Sequence, residues 1–121
     1  MVNPFIHVEL NSDNRDSSKK FYGQLFKWEF SDSPSPVPEG IYTHIKVGEG
    51  TGGGIMKKIP GGPTMWLSYV LVDSVDETIK KARQLGATIC VEKMSVPDMG
   101  SLGIFVDPDG ATLGVWEFIK K

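Results

Sequence analysis

The chain has 121 residues and a formal charge of −2, from 13 basic and 15 acidic side chains. This length fits one domain with a modest core, and 40% hydrophobic residues is ordinary for a globular protein. The lysines occur in short, scattered pairs rather than in a stripe that could neutralise phosphates, which argues against a nucleic-acid partner.

Two further features bear on the compartment. The chain starts with neither a basic nor an apolar leader, and no apolar stretch is long enough to cross a bilayer, so we expect no membrane partner and a cytoplasmic location. The lone Cys90 cannot form an internal disulfide. It lies in an apolar run, which predicts a buried strand residue.

In chain order, residues 5–10 are predicted to form a strand because apolar residues are frequent and alternate in character. Residues 11–13 then offer a turn and several helix N-caps. A helix follows, with Phe21, Leu25 and Phe26 near the spacing that places apolar groups on one face. Shorter strands are expected at residues 28–30, 42–47 and 53–57.

The second half has the same plan. Residues 66–72 are predicted to form a strand, Asp73 and Ser74 a cap, and residues 75–85 an amphipathic helix that ends at Gly86. Strands are then expected at residues 88–92, 102–106 and 112–118. Each half is therefore predicted to be β-α-β-β-β.

The two halves are related in sequence by a single offset of sixty residues, without a gap. The identities at this offset include Asp13 with Asp73, Asp16 with Asp76, Lys20 with Lys80, Leu25 with Leu85, Gly40 with Gly100, Gly50 with Gly110, and Gly54 with Gly114. Such a repeat is too long for a solenoid unit. We predict one domain over residues 1–121, with module 1 at about 1–60 and module 2 at about 61–121, enclosing a space for a small molecule.

Three segments rich in proline, glycine or serine are predicted to be loops. Residues 60–63 join the halves, whereas residues 33–40 and 95–100 occupy corresponding places inside each half. The latter two are connectors or flaps over a cavity mouth.

These features together resemble the vicinal oxygen chelate superfamily, which includes glyoxalase I, bleomycin-resistance proteins, fosfomycin-resistance enzymes and extradiol dioxygenases. The resemblance covers nearly the whole chain. It depends on His7 in the opening strand, Phe21-Tyr22 followed by Leu25-Phe26, Leu85-Gly86-Ala87, and Asp107-Pro108-Asp109-Gly110 before the last strand. It implies an α+β fold in which two βαβββ modules form an open, barrel-like, eight-stranded sheet around a cleft.

The resemblance also implies where metal ligands would lie, on the first and last strands of each half. His7 matches one of these positions, but the other three carry Leu67, Gly54 and Gly114. Because one imidazole cannot hold a divalent ion, we expect no metal and no other cofactor. A divalent metal would need substitute ligands, and the candidates are Glu9, His44 and Glu117. Strand parity places Glu117 on the face opposite the expected ligand.

The residues of a ligand pocket follow from strand alternation if His7 points inward. His7 and Glu9 are the candidate acid and base. The predicted ligand-binding residues are Phe5, Met56, Met65, Leu67, Tyr69 and Trp116. The two glycines at positions 54 and 114 indicate either a need for space or close backbone approach, or a bend in the strand. The pocket is mostly apolar with few polar groups, as is usual for small-molecule sites.

The sequence therefore predicts a metal-independent protein that binds a partly apolar or aromatic molecule in the inter-module cleft. One alternative is an enzyme, either a lyase or isomerase resembling glyoxalase I or a dioxygenase, that uses His7 and Glu9. Another is a structural or regulatory subunit with a filled cleft. We also expect a homodimer, because superfamily modules commonly pair across chains and four apolar residues lie near strand edges or a module boundary, namely Trp28, Phe30, Met65 and Trp66.

Overall fold

The computed structural model describes residues 2–34, 40–96 and 98–119. The first half comprises β1 (Phe5–Asn11), α1 (Arg15–Leu25), β2 (Glu29–Pro34), β3 (Ile41–Lys46) and β4 (Gly53–Met56). The second half comprises β5 (Met65–Leu71), α2 (Val75–Gln84), β6 (Thr88–Val96), β7 (Gly100–Val106) and β8 (Thr112–Phe118). The α+β class and the two βαβββ modules of the glyoxalase-like fold are confirmed.

The chain divides into two compact units. One is His7–Leu67, and the other joins Met1–Ile6 to Ser68–Lys121. In the first half the strand order is β2-β3-β4-β1, and in the second half it is β5-β8-β7-β6. The first and last strands of each half pair in parallel. The description of the whole chain as one domain stays a prediction.

The sixty-residue repeat is preserved in the strand register. Glu9 pairs with Gly54 between β1 and β4, and sixty residues later Tyr69 pairs with Gly114 between β5 and β8. In the same way His44 lies opposite Gly54, and Ile104 lies opposite Gly114. Structurally equivalent positions in the two halves can therefore be read directly from residue numbers.

Helix α2 begins and ends as predicted. The Ser74 side chain accepts a hydrogen bond from the Glu77 amide, and Gly86 adopts φ of 103°. This left-handed conformation suits glycine and lets the Ala87 amide donate to the Ala82 carbonyl at 3.0 Å. For α1 the predicted caps were wrong. Asn14 is the N-cap, and its side chain accepts from the Ser17 amide at 3.0 Å.

The two helices attach to their sheets differently. Val75 and Ile79 of α2 are buried in a core cluster with Val72 and Val115. None of the residues of α1 is buried, although Tyr22 packs against a cluster in β1, β3 and β4 made of Leu10, Ile45 and Ile55. A polar contact adds to this attachment, since Arg15 Nε donates to Thr43 Oγ1 at 2.8 Å.

The turn before β8 forms as its motif predicts. Asp107 Oδ1 accepts hydrogen bonds from the amides of Asp109 and Ala111, both at 2.9 Å. The Gly110 amide donates to the Asp107 carbonyl at 3.0 Å, with φ of 99° at Gly110. This conformation is accessible to glycine without strain.

Two expectations are wrong in the second half. The loop predicted at residues 95–100 is wrong at its two ends, because β6 continues to Val96 and β7 begins at Gly100, with the pairs Ser95↔Ser101 and Val96↔Gly100. That pairing satisfies backbone groups in a way that composition does not reveal. Cys90 is exposed rather than buried, since β6 is the last strand of its sheet order and Ile89 is the residue that packs on the core. The corresponding first-half segment at 35–39 lies outside the described residues.

Within the described part of the chain, no helix has the length and apolar character needed to span a membrane.

Candidate functional site

The candidate site lies on the sheet face of the first half that is turned away from α1. Leu10 and Ile45 pack on the α1 side, so strand alternation directs their neighbours to the opposite face. That face carries three side chains from β1 and two from β3. We call it the polar face, and its residues are His7, Glu9, Asn11, Tyr42 and His44.

Hydrogen bonds connect four of these side chains in a row. His7 Nε2 lies 2.6 Å from the Tyr42 hydroxyl, which donates to Glu9 Oε2 at 3.0 Å. Asn11 Nδ2 donates to Glu9 Oε1 at 3.0 Å. Since the single hydroxyl hydrogen of Tyr42 is directed at Glu9, this arrangement requires that His7 donates from Nε2. The His44 ring stands edge-on to the Tyr42 ring, with centroids 5.1 Å apart.

Burial differs along this row. Glu9 is 2% exposed and Asn11 is fully buried, whereas His7 is partly exposed. Asn11 Oδ1 is buried without a hydrogen-bond partner among the described residues. An approaching molecule would therefore meet His7 before it could reach Glu9.

Burial also controls the charge states. Desolvation, with a smaller contribution from the charge of His44, lowers the pKa of His7 to about 4. Desolvation, followed by the charge of Glu9 and the hydrogen bond to it, raises the pKa of the Tyr42 hydroxyl well above its usual value. Both groups are consequently neutral near pH 7.

The two glycines at the predicted ligand positions are explained by tyrosine rings. A Cβ atom at Gly54 would overlap the hydroxyl end of Tyr42, and one at Gly114 would overlap the ring of Tyr69. Both positions therefore require glycine because a tyrosine side chain lies directly against the strand there. The first half supplies its tyrosine from β3, whereas the second half supplies it from β5, at the position equivalent to Glu9.

The second half shows what the fold itself requires at these positions. The five positions equivalent to the polar face carry Leu67, Tyr69, Leu71, Leu102 and Ile104. Four of these side chains are buried at 4% exposure or less, and none is charged. The same strands therefore form with four apolar side chains and one tyrosine, and the buried carboxylate and amide of the first half carry a desolvation cost that the fold does not demand.

The residues at the family's metal positions do not fit a divalent ion. Tyr42 covers Gly54, Tyr69 covers Gly114, and Leu67 has no donor atom. In the described segments, no three His, Cys, Asp or Glu side chains are grouped so that they could hold a metal. Glu117, a substitute candidate, accepts a hydrogen bond from the Val75 amide at the start of α2, so it lies on the helix side.

The other predicted ligand-binding residues differ in burial, and their place in a ligand site stays a prediction. Met56 is buried on β4, Leu67 and Tyr69 are buried on β5, and Trp116 on β8 is partly exposed. Met65 is partly exposed, and Phe5 is 66% exposed at the start of β1.

The sequence interpretation did not include Asn11 and Tyr42. Strand parity from Glu9 could have indicated Asn11, since the two are two residues apart on β1. Tyr42 could be found only from the register between β3, β4 and β1.

Comparison with known proteins gives a family match over most of the chain. Residues 5–115 match the family described as the Glyoxalase/Bleomycin resistance protein/Dioxygenase superfamily. CFP32 of Mycobacterium tuberculosis, which carries a provisional name as a glyoxylase, is 30% identical over 114 residues, covering 91% of this chain and 44% of CFP32. The anthracycline biosynthesis protein DnrV of Streptomyces peucetius is 26% identical over 122 residues, covering 89% of this chain and 44% of DnrV. The chain spans less than half the length of these relatives.

Solved structures share the fold at low sequence identity. The hypothetical protein BH1468 from Bacillus halodurans superposes with a TM-score of 0.68 at 12% identity, covering 100% of this chain and 98% of that one. At this identity the similarity supports the fold alone.

Proposed function

Because the chain belongs to the Glyoxalase/Bleomycin resistance protein/Dioxygenase superfamily, we propose that it binds a small, partly apolar or aromatic molecule against the polar face of its first half, without a metal ion. The observation that carries this proposal is the difference between the two halves. A buried carboxylate and a buried amide occur in the first half, together with two histidines, at positions where the second half has four apolar residues and one tyrosine. Polar groups retained at a cost to stability are typical of functional sites.

The exposure of the individual side chains indicates how a ligand would be recognised. His7 and His44 are partly exposed, whereas Glu9 and Asn11 lie beneath them in the fold. A neutral imidazole can donate and accept hydrogen bonds, so a ligand with a carbonyl or hydroxyl group suits His7. Anthracyclines are fused aromatic ring systems with such groups, and the name of the relative DnrV therefore supports an aromatic ligand.

A second candidate is a metal-independent lyase or isomerase, which the hydrogen-bonded row from His7 to Glu9 favours. In this row, His7 and Glu9, the candidate acid and base, are both hydrogen-bonded to the Tyr42 hydroxyl. The alternative of a regulatory or structural subunit with a filled cleft stays a prediction. The cytoplasmic location also stays a prediction.

We test binding by the quenching of tryptophan fluorescence with an anthracycline as the aromatic probe. A variant with His7→Leu and His44→Ile, which installs the second-half residues, is expected to bind the probe at least about tenfold more weakly, the scale of one or two lost hydrogen bonds. Glu29→Gln, on the exposed start of β2, is the control and should bind as the wild type does.

The same samples test metal independence. Elemental analysis after dialysis against a chelator is expected to show no stoichiometric zinc, nickel, manganese or iron while probe binding persists. One tightly held ion per chain that disappears in His7→Ala would contradict the proposal.

We further propose that the protein is a homodimer and that α1 contributes to the interface. Tyr22 stacks on Trp28 with ring centroids 5.8 Å apart and meets Trp66 edge-on at 5.2 Å. Beside this cluster, Phe21 and Leu25 of α1 are 60% and 58% exposed. Such an exposed apolar patch is typical of an interaction surface.

Leu25→Glu is expected to shift the dimer to monomer in sedimentation at tens of micromolar, because it puts a charge into this patch. Leu85→Glu is the matched control. Leu85 is the sixty-residue equivalent on the α2 side, it is 69% exposed, and its neighbours in α2 include Lys81 and Arg83. A wild-type monomer in this concentration range, or equal effects of the two changes, would count against the dimer.

A further inference from the structure

The row of hydrogen bonds on the polar face connects an accessible group to an inaccessible one. Glu9 is 2% exposed, so its carboxylate cannot contact a ligand without a large rearrangement. His7 is partly exposed and is linked to Glu9 through the Tyr42 hydroxyl, by contacts of 2.6 and 3.0 Å. Both lengths are suitable for proton transfer along hydrogen bonds.

We propose that His7, Tyr42 and Glu9 form a proton relay, in which the buried carboxylate acts as the general base and His7 takes the proton from a bound carbon acid. The proposal rests on the proposed function in one respect, that the ligand lies against His7. His7 is the catalytic residue that contacts the substrate, and the other two act through it: Tyr42 passes the proton on and Glu9 accepts it.

The proton balance is simple. The substrate C–H proton reaches Nδ1 of His7, directly or through a group hydrogen-bonded to it. As that N–H bond forms, the proton on Nε2 moves to the Tyr42 oxygen, and the Tyr42 hydroxyl proton moves to Glu9 Oε2. The substrate becomes an enolate, the carboxylate becomes a carboxylic acid, and His7 and Tyr42 end as neutral as they began. Reversal returns the proton to the same or to a neighbouring carbon, so the reaction needs no further reactant.

This order of transfer fits the environment of each group. Charged imidazolium and phenolate forms are both costly on the buried face, and neither occurs in the relay. The negative charge passes from Glu9 to the substrate in one concerted shift. In the second half, Leu67, Tyr69 and Leu102 occupy the equivalent positions and could not transfer a proton in this way.

The substrate class follows from the strength of this base. A carboxylate acting through a neutral imidazole can remove a proton that is acidified by an adjacent carbonyl, as in an α-hydroxyketone or α-hydroxyaldehyde. The expected reactions are isomerisation or racemisation at that carbon. An aromatic α-hydroxyketone combines this chemistry with the apolar ligand proposed above.

The test uses 2-hydroxyacetophenone as the probe. Exchange of its α-protons in D₂O is followed by NMR, and its binding is followed by tryptophan quenching. Wild-type protein is expected to accelerate the exchange, and Glu9→Gln and Tyr42→Phe are each expected to reduce this acceleration by about 100-fold or more, with binding within a few-fold of wild type. Tyr22→Phe, which removes a hydroxyl from α1, is the matched control and should exchange normally.

A second readout does not depend on turnover. In protein labelled with ¹⁵N-histidine, His7 is expected to be neutral with its hydrogen on Nε2, and Tyr42→Phe should abolish this tautomer preference. Binding without accelerated exchange, or exchange that survives Tyr42→Phe, would overturn the relay and leave the proposed function standing. Absence of 2-hydroxyacetophenone binding would overturn the relay, whereas absence of anthracycline binding would overturn the proposed function.

Discussion

Gly114→Ala is expected to lower the free energy of unfolding by about 1–3 kcal/mol or more, the usual cost of overpacking a core. The added Cβ would overlap inner atoms of the Tyr69 ring, and Tyr69 is 2% exposed, so the ring has little freedom to move aside. Equilibrium unfolding in urea measures the effect. A variant as stable as wild type would show that the ring does not lie on this glycine.

Gly54→Ala is the matched comparison, because it makes the equivalent change in the other half. Here the added Cβ would overlap the hydroxyl end of Tyr42, which can turn away at a smaller cost. We expect a smaller loss of stability, but the acceleration of proton exchange should be lost because Tyr42 leaves its place between His7 and Glu9. Adding Tyr42→Ala should relieve the overlap of Gly54→Ala without restoring the exchange.

Acidification is expected to cost the wild-type protein about 3 kcal/mol more than it costs His7→Gln, in unfolding experiments between pH 7 and pH 4. The His7 pKa is about 4 in the folded protein, against 6.5 for an ordinary histidine. As pH falls through this window, the unfolded chain binds a proton at His7 and the folded protein does not. Protonation therefore favours unfolding, and stability present above pH 6.5 is lost toward pH 4.

The comparison of wild type with His7→Gln isolates the contribution of His7 to the pH dependence of stability. Glutamine retains a hydrogen-bonding group for Tyr42 and does not titrate, whereas all carboxylates are common to both proteins. His44→Gln removes the only other histidine and should keep most of the pH-dependent loss. Parallel pH profiles for wild type and His7→Gln would mean that the folded environment does not disfavour the charged imidazole.

Much of the fold follows from local sequence patterns. The spacing of apolar residues predicts α2, Ser74 and Gly86 predict its ends, and alternation predicts β8 at Thr112–Phe118. The gap-free offset of sixty residues predicts not only the two βαβββ modules but also the equal registers of their parallel strand pairs. These features depend on backbone conformation and periodicity, which neighbouring residues in the sequence determine.

Only part of the site could be predicted, because alternation within one strand can be read from the sequence whereas the register between strands cannot. Parity along β1 places His7 and Glu9 on one face, because side chains alternate within a single strand. Whether a second strand brings Tyr42 between them depends on its register with β4, which no local pattern fixes.

The sequence by itself therefore determined the family, the two modules and the lack of donor side chains at positions 54, 67 and 114, since each of these can be read from residue type and spacing. Only the tertiary structure decided that tyrosine rings occupy the space above Gly54 and Gly114 and that Tyr42 joins His7 to Glu9. The reason is that ring packing and a 2.6 Å hydrogen bond depend on residues 35 positions apart in the chain. Such distances are set by strand pairing, and the chemistry of the polar face depends on them.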